Sequence, residues 1–315
     1  MIDSKLKKRM LKDAVQINNE IYCFKGSFVK TKKMILNLAT YIKYFIKIYI
    51  FNKKVFPYFE IVLTTKCSLK CRDCGSIMPY YCKPYDVGWG TIQASLSSLL
   101  NNVDEVRMMG VIGGETFISK DLSKTLDFLL HQKKVRSIRV FTNAVVVTPL
   151  SQELIGVLRN KKVHVNISNY GIPESNTFYN YLLSEKIQAR MGGVMKWLDR
   201  GNMVRRKRTV RELVKQFQAC YMKTCKSILN GKFYYCPRSG HGHDLGIVKT
   251  PKNDYVDLLK EKNIGCKILS LYYEKDYLAA CDYCNVGTDL CIEIPAAIQL
   301  TREQQQELWN LSKRS

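Results

Sequence analysis

Four short apolar runs, EIVLTT (60–65), EVRMMG (105–110), SIRVFTN (137–143) and VHVNISN (163–169), alternate with stretches of helical period. Such runs suit strands covered on both faces, and the helical crossovers between them make the sheet parallel. Ile92, Leu96, Leu99, Leu100 and Val103 form one helical stripe, and Leu122, Leu126, Leu129 and Leu130 a second. Leu150, Leu154, Ile155 and Leu158 form a third, with Thr148 expected as its N-cap and Pro149 at its first position. Repeated βα units of this kind predict an α/β fold whose chemistry gathers where the strands end. CSLKCRDC follows the first strand, Gly113-Gly114-Glu115 the second, Thr142-Asn143 ends the third and Ser168-Asn169-Tyr170 the fourth. All four groups are expected on one rim.

A chain of 315 residues, 46% hydrophobic, can bury one large core with a smaller companion. Twelve cysteines would suit a disulfide framework in a small secreted domain, but this chain is long and its start, MIDSKLKKRM, is too polar for a signal peptide. A reducing cytoplasm and thiolate-bound metal are expected, with membrane association left open. The net charge of +23 favours anionic partners, yet the lysines are scattered and form no stripe that would mark nucleic-acid binding. Met34–Phe51 is apolar and long, but Lys43 and Lys47 sit on one helical face and each costs about 2.5–3.5 kcal/mol at a bilayer centre. Two readings stand: a helix lying in a membrane surface with its lysines toward the headgroups, flanked by Lys30, Lys32, Lys33, Lys53 and Lys54, or a helix packed on the catalytic domain.

Thiolates spaced four and then three residues apart can wrap three irons of a 4Fe-4S cluster and leave the fourth open. Cys67-x3-Cys71-x2-Cys74 resembles the defining motif of the radical S-adenosylmethionine (radical SAM) superfamily. The resemblance implies a partial (β/α)6 TIM-like barrel and S-adenosylmethionine bound at the open iron, cleaved reductively to a 5'-deoxyadenosyl radical that abstracts a substrate hydrogen. It implies that Gly113, Gly114 and Glu115 hold the methionine ammonium, and it makes Asn143, Ser168 and Asn169 expected cofactor contacts. Two positions depart from the pattern: Asp73 stands where an aromatic residue usually precedes the third cysteine, and Thr116 where proline follows the glutamate. The competing reading is a zinc site with Cys82 as fourth ligand.

A second set, Cys220-x10-Gly231-x4-Cys236 and then Cys281-x2-Cys284, resembles the SPASM extension of that superfamily or its shorter twitch form. Cys291 follows, but Pro295 occupies the next expected cysteine position, so one auxiliary 4Fe-4S cluster is implied. Tyr234, Tyr235 and Pro237 around Cys236 suggest a hairpin. Cys225 could replace Cys220, remain a buried thiol or donate a hydrogen atom, and a zinc knuckle competes for the whole set. His241 and His243 read as a surface turn in a Gly-rich loop. Trp197 and Asp199 are placed at the active mouth, Tyr80 and Tyr81 suit packing and substrate contact equally, and Cys23 and Cys266 carry no motif.

The expected organisation is an N-terminal extension (1–55), a radical SAM core (56–195), a small auxiliary-cluster domain (196–295) and a C-terminal helix (296–315). The expected function is oxidation or epimerisation of a carbohydrate-type, anionic small molecule or glycan. The alternatives are a peptide-modifying maturase and, in another class, a non-catalytic zinc- or iron-sulfur-binding protein. Expected partners are a low-potential electron donor such as flavodoxin or ferredoxin and a peripheral membrane contact.

Overall fold

Apolar runs covered on both faces become the strands of one parallel sheet. The computed structural model describes residues 2–22, 28–146 and 148–314, so Cys23 lies outside the described residues. Val55–Val62 (β1), Glu105–Ile112 (β2), Ile138–Thr142 (β3), Val163–Ile167 (β4) and Ala189–Met191 (β5) are parallel neighbours in that order. All eight residues of β1 are buried, as a central strand with cover on both faces requires. Trp89–Asn102 (α4), Leu122–Leu130 (α5), Gln152–Leu158 (α6) and Pro173–Ser184 (α7) are the crossovers, preceded in the chain by Ser4–Gln16 (α1), Asn18–Ile21 (α2) and Phe28–Phe45 (α3). The expected stripes of α4 and α5 face the core, with only Leu130 and Leu154 of the named apolar positions left partly buried. The fold is a partial TIM-like barrel.

The sheet does not stop with β5. After the short strand Lys196–Leu198 (β6), Ser227–Leu229 (β7) joins the opposite edge, parallel to β1 through Glu60↔Ser227 and Ile61↔Ile228. Lys232–Tyr234 (β8) and Tyr255–Asp257 (β9) then extend it antiparallel, giving the order β5-β4-β3-β2-β1-β7-β8-β9. Asn230 and Gly231, both at positive φ, turn β7 into β8, the two-residue hairpin that an Asn-Gly pair favours. The remaining elements are Val210–Ala219 (α8), Pro237–Asp244 (α9), Ile264–Tyr273 (α10), Glu293–Pro295 (β10), which pairs antiparallel with β6, and Arg302–Arg314 (α11). Thr209 and Glu212 close a capping box at the start of α8.

The N-terminal segment belongs to the main core. Met10, Leu11 and Ala14 of α1 are buried in it. Glu105 of β2 is buried and accepts from Tyr44, Lys47 and Arg136, and these bonds outweigh burial and hold its carboxyl down at about 2. That network fixes α3 to the sheet.

Three local expectations need correction. Helix α6 is capped by Ser151, whose hydroxyl accepts from the Leu154 N–H at 3.3 Å, so Thr148 and Pro149 precede the helix rather than open it. The Leu150 N–H, two residues after Thr148, donates instead to Tyr181 Oη at 2.9 Å. Lys43 and Lys47 share one helical face beside the Tyr44 ring but do not both reach outward: Lys43 is exposed, Lys47 turns inward to Glu105, and the helix passes into a π-helical turn over Ile46–Ile50. His241 and His243 lie on α9, not in a surface turn, and His241 is buried with its ring Nδ1 2.8 Å from Tyr81 Oη.

Candidate active site

β1 ends at Val62, and the chain then enters the loop that carries Cys67, Cys71 and Cys74. The end of β2 runs against the base of this loop: Gly114 N–H donates to Thr64 O and Glu115 N–H to Lys66 O, each at 2.8 Å. Only glycine fits there, since a Cβ at Gly114 would stand 2.2 Å from Lys66 O and one at Gly113 2.8 Å from Thr64 Cγ2.

Glu115 is buried and serves as a brace. Its carboxylate accepts from Phe117 N–H at 3.0 Å, Thr142 Oγ1 at 2.9 Å and Asn143 N–H at 2.7 Å, tying the end of β2 to the end of β3. Burial outweighs these bonds and raises its pKa to about 7. Asn143 carries the tie back to the cysteine loop, with Nδ2 3.2 Å from Ser68 Oγ and 3.6 Å from Cys67 Sγ.

Burial pushes Cys67 to about 12 and Cys71 to about 11, and the neighbouring cysteines add to it, Cys74 and Cys71 at Cys67 and Cys74 at Cys71. Buried thiols of this kind shed their protons when a cation takes their place. Cys71 also accepts from Gln299 Nε2 at 3.2 Å. The C-terminal segment pairs antiparallel with the loop there, through Cys71↔Gln299, Arg72 N–H to Ile298 O and Leu300 N–H to Lys70 O. Sequence reasoning missed this strap, because a partner 228 residues away leaves no local signal.

Ser168 and Asn169 end β4 on the same rim. Asn169 Nδ2 donates to Gly192 O at 3.0 Å, and Ser168 N–H donates to Thr142 O at 2.9 Å. Tyr170, the third residue of that group, has its pKa raised by burial, and the charges of Cys74, Cys71 and Cys67 raise it further. Its ring meets Trp197 edge-on at 5.4 Å, and the Arg200 guanidinium lies 5.4 Å from the Trp197 ring centre. Asp73 is buried and ion-paired with Arg72 Nε at 2.8 Å.

The second cysteine set also converges. Cys220, Cys236 and Cys284 each influence one another or Cys281 electrostatically, and burial raises Cys220 to about 11 and Cys236 to about 12. The β7–β8 hairpin delivers Cys236. The carbonyls of Cys281 and Cys284 are clamped by Arg208 Nη1 at 3.2 and 2.9 Å and by Gln216 Nε2 at 3.1 and 2.8 Å. Both donor sets fit an iron-sulfur cubane in chemistry: clustered thiols whose deprotonation awaits a cation. Among the described residues no three His, Cys, Asp or Glu side chains draw together around a single-ion point, and a cubane holds its thiolates further apart than one ion does.

Cys225 lies near enough to Cys236 for that group's charge to act on its thiol, and it also faces a cavity. It is half-buried in the wall of a cavity of about 780 Å³, with Tyr58 and Glu60 of β1, Arg139 of β3, Asn169 and Tyr235. Glu60 is the first charge acting on its thiol, and burial lifts that thiol to about 12. Glu60 accepts from Tyr58 Oη at 2.6 Å and Ser227 Oγ at 3.3 Å, yet burial still raises it to about 7. The cavity wall carries Arg9, Lys12, Arg139, Arg190, Lys223 and Lys226 against Asp13, Glu20 and Glu60. Arg139 is buried and its Nε has no hydrogen-bond partner among the described residues. Helices α1 and α2 supply four of these nine charges, Arg9, Lys12, Asp13 and Glu20, a role that the sequence did not disclose.

No family model and no curated protein matches the sequence. Among solved structures, Streptococcus suis SuiB bound to the precursor peptide SuiA is 17% identical over 50% of this chain and 37% of that chain, with a TM-score of 0.34. This chain therefore spans well under half of SuiB. Native anSMEcpe with bound AdoMet and Cp18Cys peptide is 11% identical over 82% of this chain and 97% of that one, at a TM-score of 0.44. BtrN in complex with AdoMet and 2-DOIA is 13% identical over 74% and 94%, at 0.40. Two of these three structures hold AdoMet, and the likeness of this chain to each of the three is one of fold.

Proposed function

We propose that this chain is a radical SAM enzyme that epimerises a carbohydrate-type anionic substrate. The observation that carries the reading is the loop of Cys67, Cys71 and Cys74 set against Gly113-Gly114 and braced by Glu115. In this reading those thiolates hold a 4Fe-4S cluster with S-adenosylmethionine, and Cys220, Cys236, Cys281 and Cys284 hold an auxiliary cluster. When bound, the first pair supplies a carbon radical that takes a hydrogen atom from a substrate C–H bond. Residues 56–195 carry that chemistry and residues 196–295 the auxiliary set.

The chain's own groups do the rest. Gly113 and Gly114 let the backbone reach the cofactor's ammonium, while Ser168, Asn169 and Asn143 supply polar contacts on the rim. Tyr170 and Trp197 supply an aromatic surface near the thiols, the part that Asp73 does not play. The surplus of cations in the cavity orients an anionic substrate. Cys225 is protonated at neutral pH, and only a thiol, not a thiolate, can return a hydrogen atom. Returning it to the opposite face leaves a sulfur radical on Cys225, which takes one electron from a low-potential flavodoxin- or ferredoxin-type donor and one proton. Glu60, with its pKa near 7, is placed to relay that proton.

Anaerobically purified protein should carry about eight irons and release 5'-deoxyadenosine on reduction. Bound zinc without deoxyadenosine would end the reading. In deuterated water the product carbon should gain solvent deuterium, and Cys225→Ala should form deoxyadenosine without epimer. An oxidised product lacking deuterium would transfer the reading to a dehydrogenase, and turnover of a peptide alone would transfer it to a maturase.

A further inference from the structure

Helix α3 and the π-helical turn after it have two faces with different fates. One is spent on the fold: Tyr44 and Ile48 are buried, Thr40 hydrogen-bonds to Asn18, and Lys47 pairs with Glu105. The other is apolar and open. Met34, Ile35, Leu38, Ile42, Ile50 and Phe51 are each 52–67% exposed, and their spacing of three, four and eight residues gives one stripe along the helix. Tyr41, Phe45 and Tyr49 stack along it, with centroids 6.2 and 4.7 Å apart. An open stripe of this length is a contact surface.

Charge identifies what it contacts. No Asp or Glu occurs between Glu20 and Glu60, whereas Lys30, Lys32, Lys43 and Lys53 are exposed around the stripe. Residues 1–54 hold thirteen Lys or Arg against three Asp or Glu, a surplus of ten. A second copy of this face would oppose lysine to lysine. An anionic bilayer surface meets both demands, taking the apolar stripe below its headgroups and the lysines among them. No described helix is long and apolar enough to cross a membrane, so the helix lies in the surface plane. We propose that α3 docks this protein flat on an anionic lipid surface. Because α1 packs on α3 and also lines the cavity through Arg9, Lys12 and Asp13, the bilayer then lies against an element of the cavity wall.

The test is co-sedimentation of the full, cluster-loaded chain with vesicles of phosphatidylcholine alone or mixed with phosphatidylglycerol, alongside light scattering without lipid. The wild type should sediment with the mixed vesicles and at least tenfold less with phosphatidylcholine. Leu38→Glu with Ile42→Glu, both outward, should abolish binding while the melting temperature is kept. Lys32→Gln and Lys43→Gln should each weaken it about fivefold. Wild type that stays in the supernatant, or a double variant that still sediments, overturns the proposal. So does a wild-type dimer that the double variant converts to monomer while vesicles fail to compete, since a second copy would then own the stripe. None of these readouts depends on turnover.

Discussion

Gln299 donates to Cys71 Sγ from a segment that otherwise only pairs with the cysteine loop. A hydrogen bond to a cluster thiolate favours the more electron-rich, reduced state. Gln299→Ala should therefore shift the midpoint of the first cluster negative, on the order of 40 mV for the loss of about 1 kcal/mol in a one-electron couple. Potentiometric EPR checks this, and an unmoved midpoint with unchanged iron content would reduce Gln299 to a strap. Glu60 makes a second test. Burial raises its pKa from 4.5 to about 7, so the folded chain prefers the neutral carboxyl. Its contribution is whole below pH 4.5 and lost as pH rises through about 7, up to about 3 kcal/mol. Glu60→Gln keeps a partner for Tyr58 and should melt above wild type at pH 8 but level with it at pH 5. Glu115, raised by burial in the same direction, keeps part of the slope in the variant. Thiol spacing was legible in the sequence because a tight loop imposes it locally. The setting of Glu60 was not, because its neighbours Cys225, Lys226 and Ser227 come from a strand 167 positions away.

At the scale of elements, the four strands with long apolar runs were readable, since periodicity reports burial directly. Short β5, β6 and β10 were not, because three residues carry no period and their pairing is set by distant partners. The β7–β8 hairpin had a usable signal in Asn230-Gly231. Glycines also separate elements that tolerate a side chain from those that do not. Gly114 meets backbone on the loop side, which cannot rotate away, so Gly114→Ala should cost about 1–3 kcal/mol and lower the iron retained. Gly90, inside α4, has nothing within 4 Å of a built Cβ, so Gly90→Ala should stabilise by up to about 1 kcal/mol. Paired thermal melts and iron assays read both, and equal effects from the two substitutions would sink the close-approach argument.

At the scale of the whole molecule, one sheet crosses the expected division near residue 195. β1 lies inside it, with β2 on one side and β7 on the other. Its aromatic residues are covered from the C-terminal half: Phe59 lies 5.2 Å from Phe233 and 5.6 Å from Tyr272, and Phe56 5.2 Å from Tyr272. A chain cut after residue 195 would lose β7, β8, β9 and α10 together, leaving β1 as an edge strand paired with β2 alone and flanked by uncovered phenylalanines. Edge strands of that kind pair with other chains. The shortened chain should therefore collect in aggregates, with the Glu60 amide, which donates to Lys226 O in the full chain, unprotected in hydrogen exchange. A chain cut after Leu300 tests the same logic from the other side. It keeps the whole sheet and the Gln299 strap and loses only α11, whose Leu308 and Trp309 are partly buried against the smaller hydrophobic cluster. That chain should stay monomeric and hold its iron, with a lower melting temperature. If instead the chain ending at 195 were soluble and protected at Glu60, the parallel pairing of Glu60 with Ser227 would be dispensable. Residues 196–295 would then be an appended unit rather than the continuation of the sheet that holds the site.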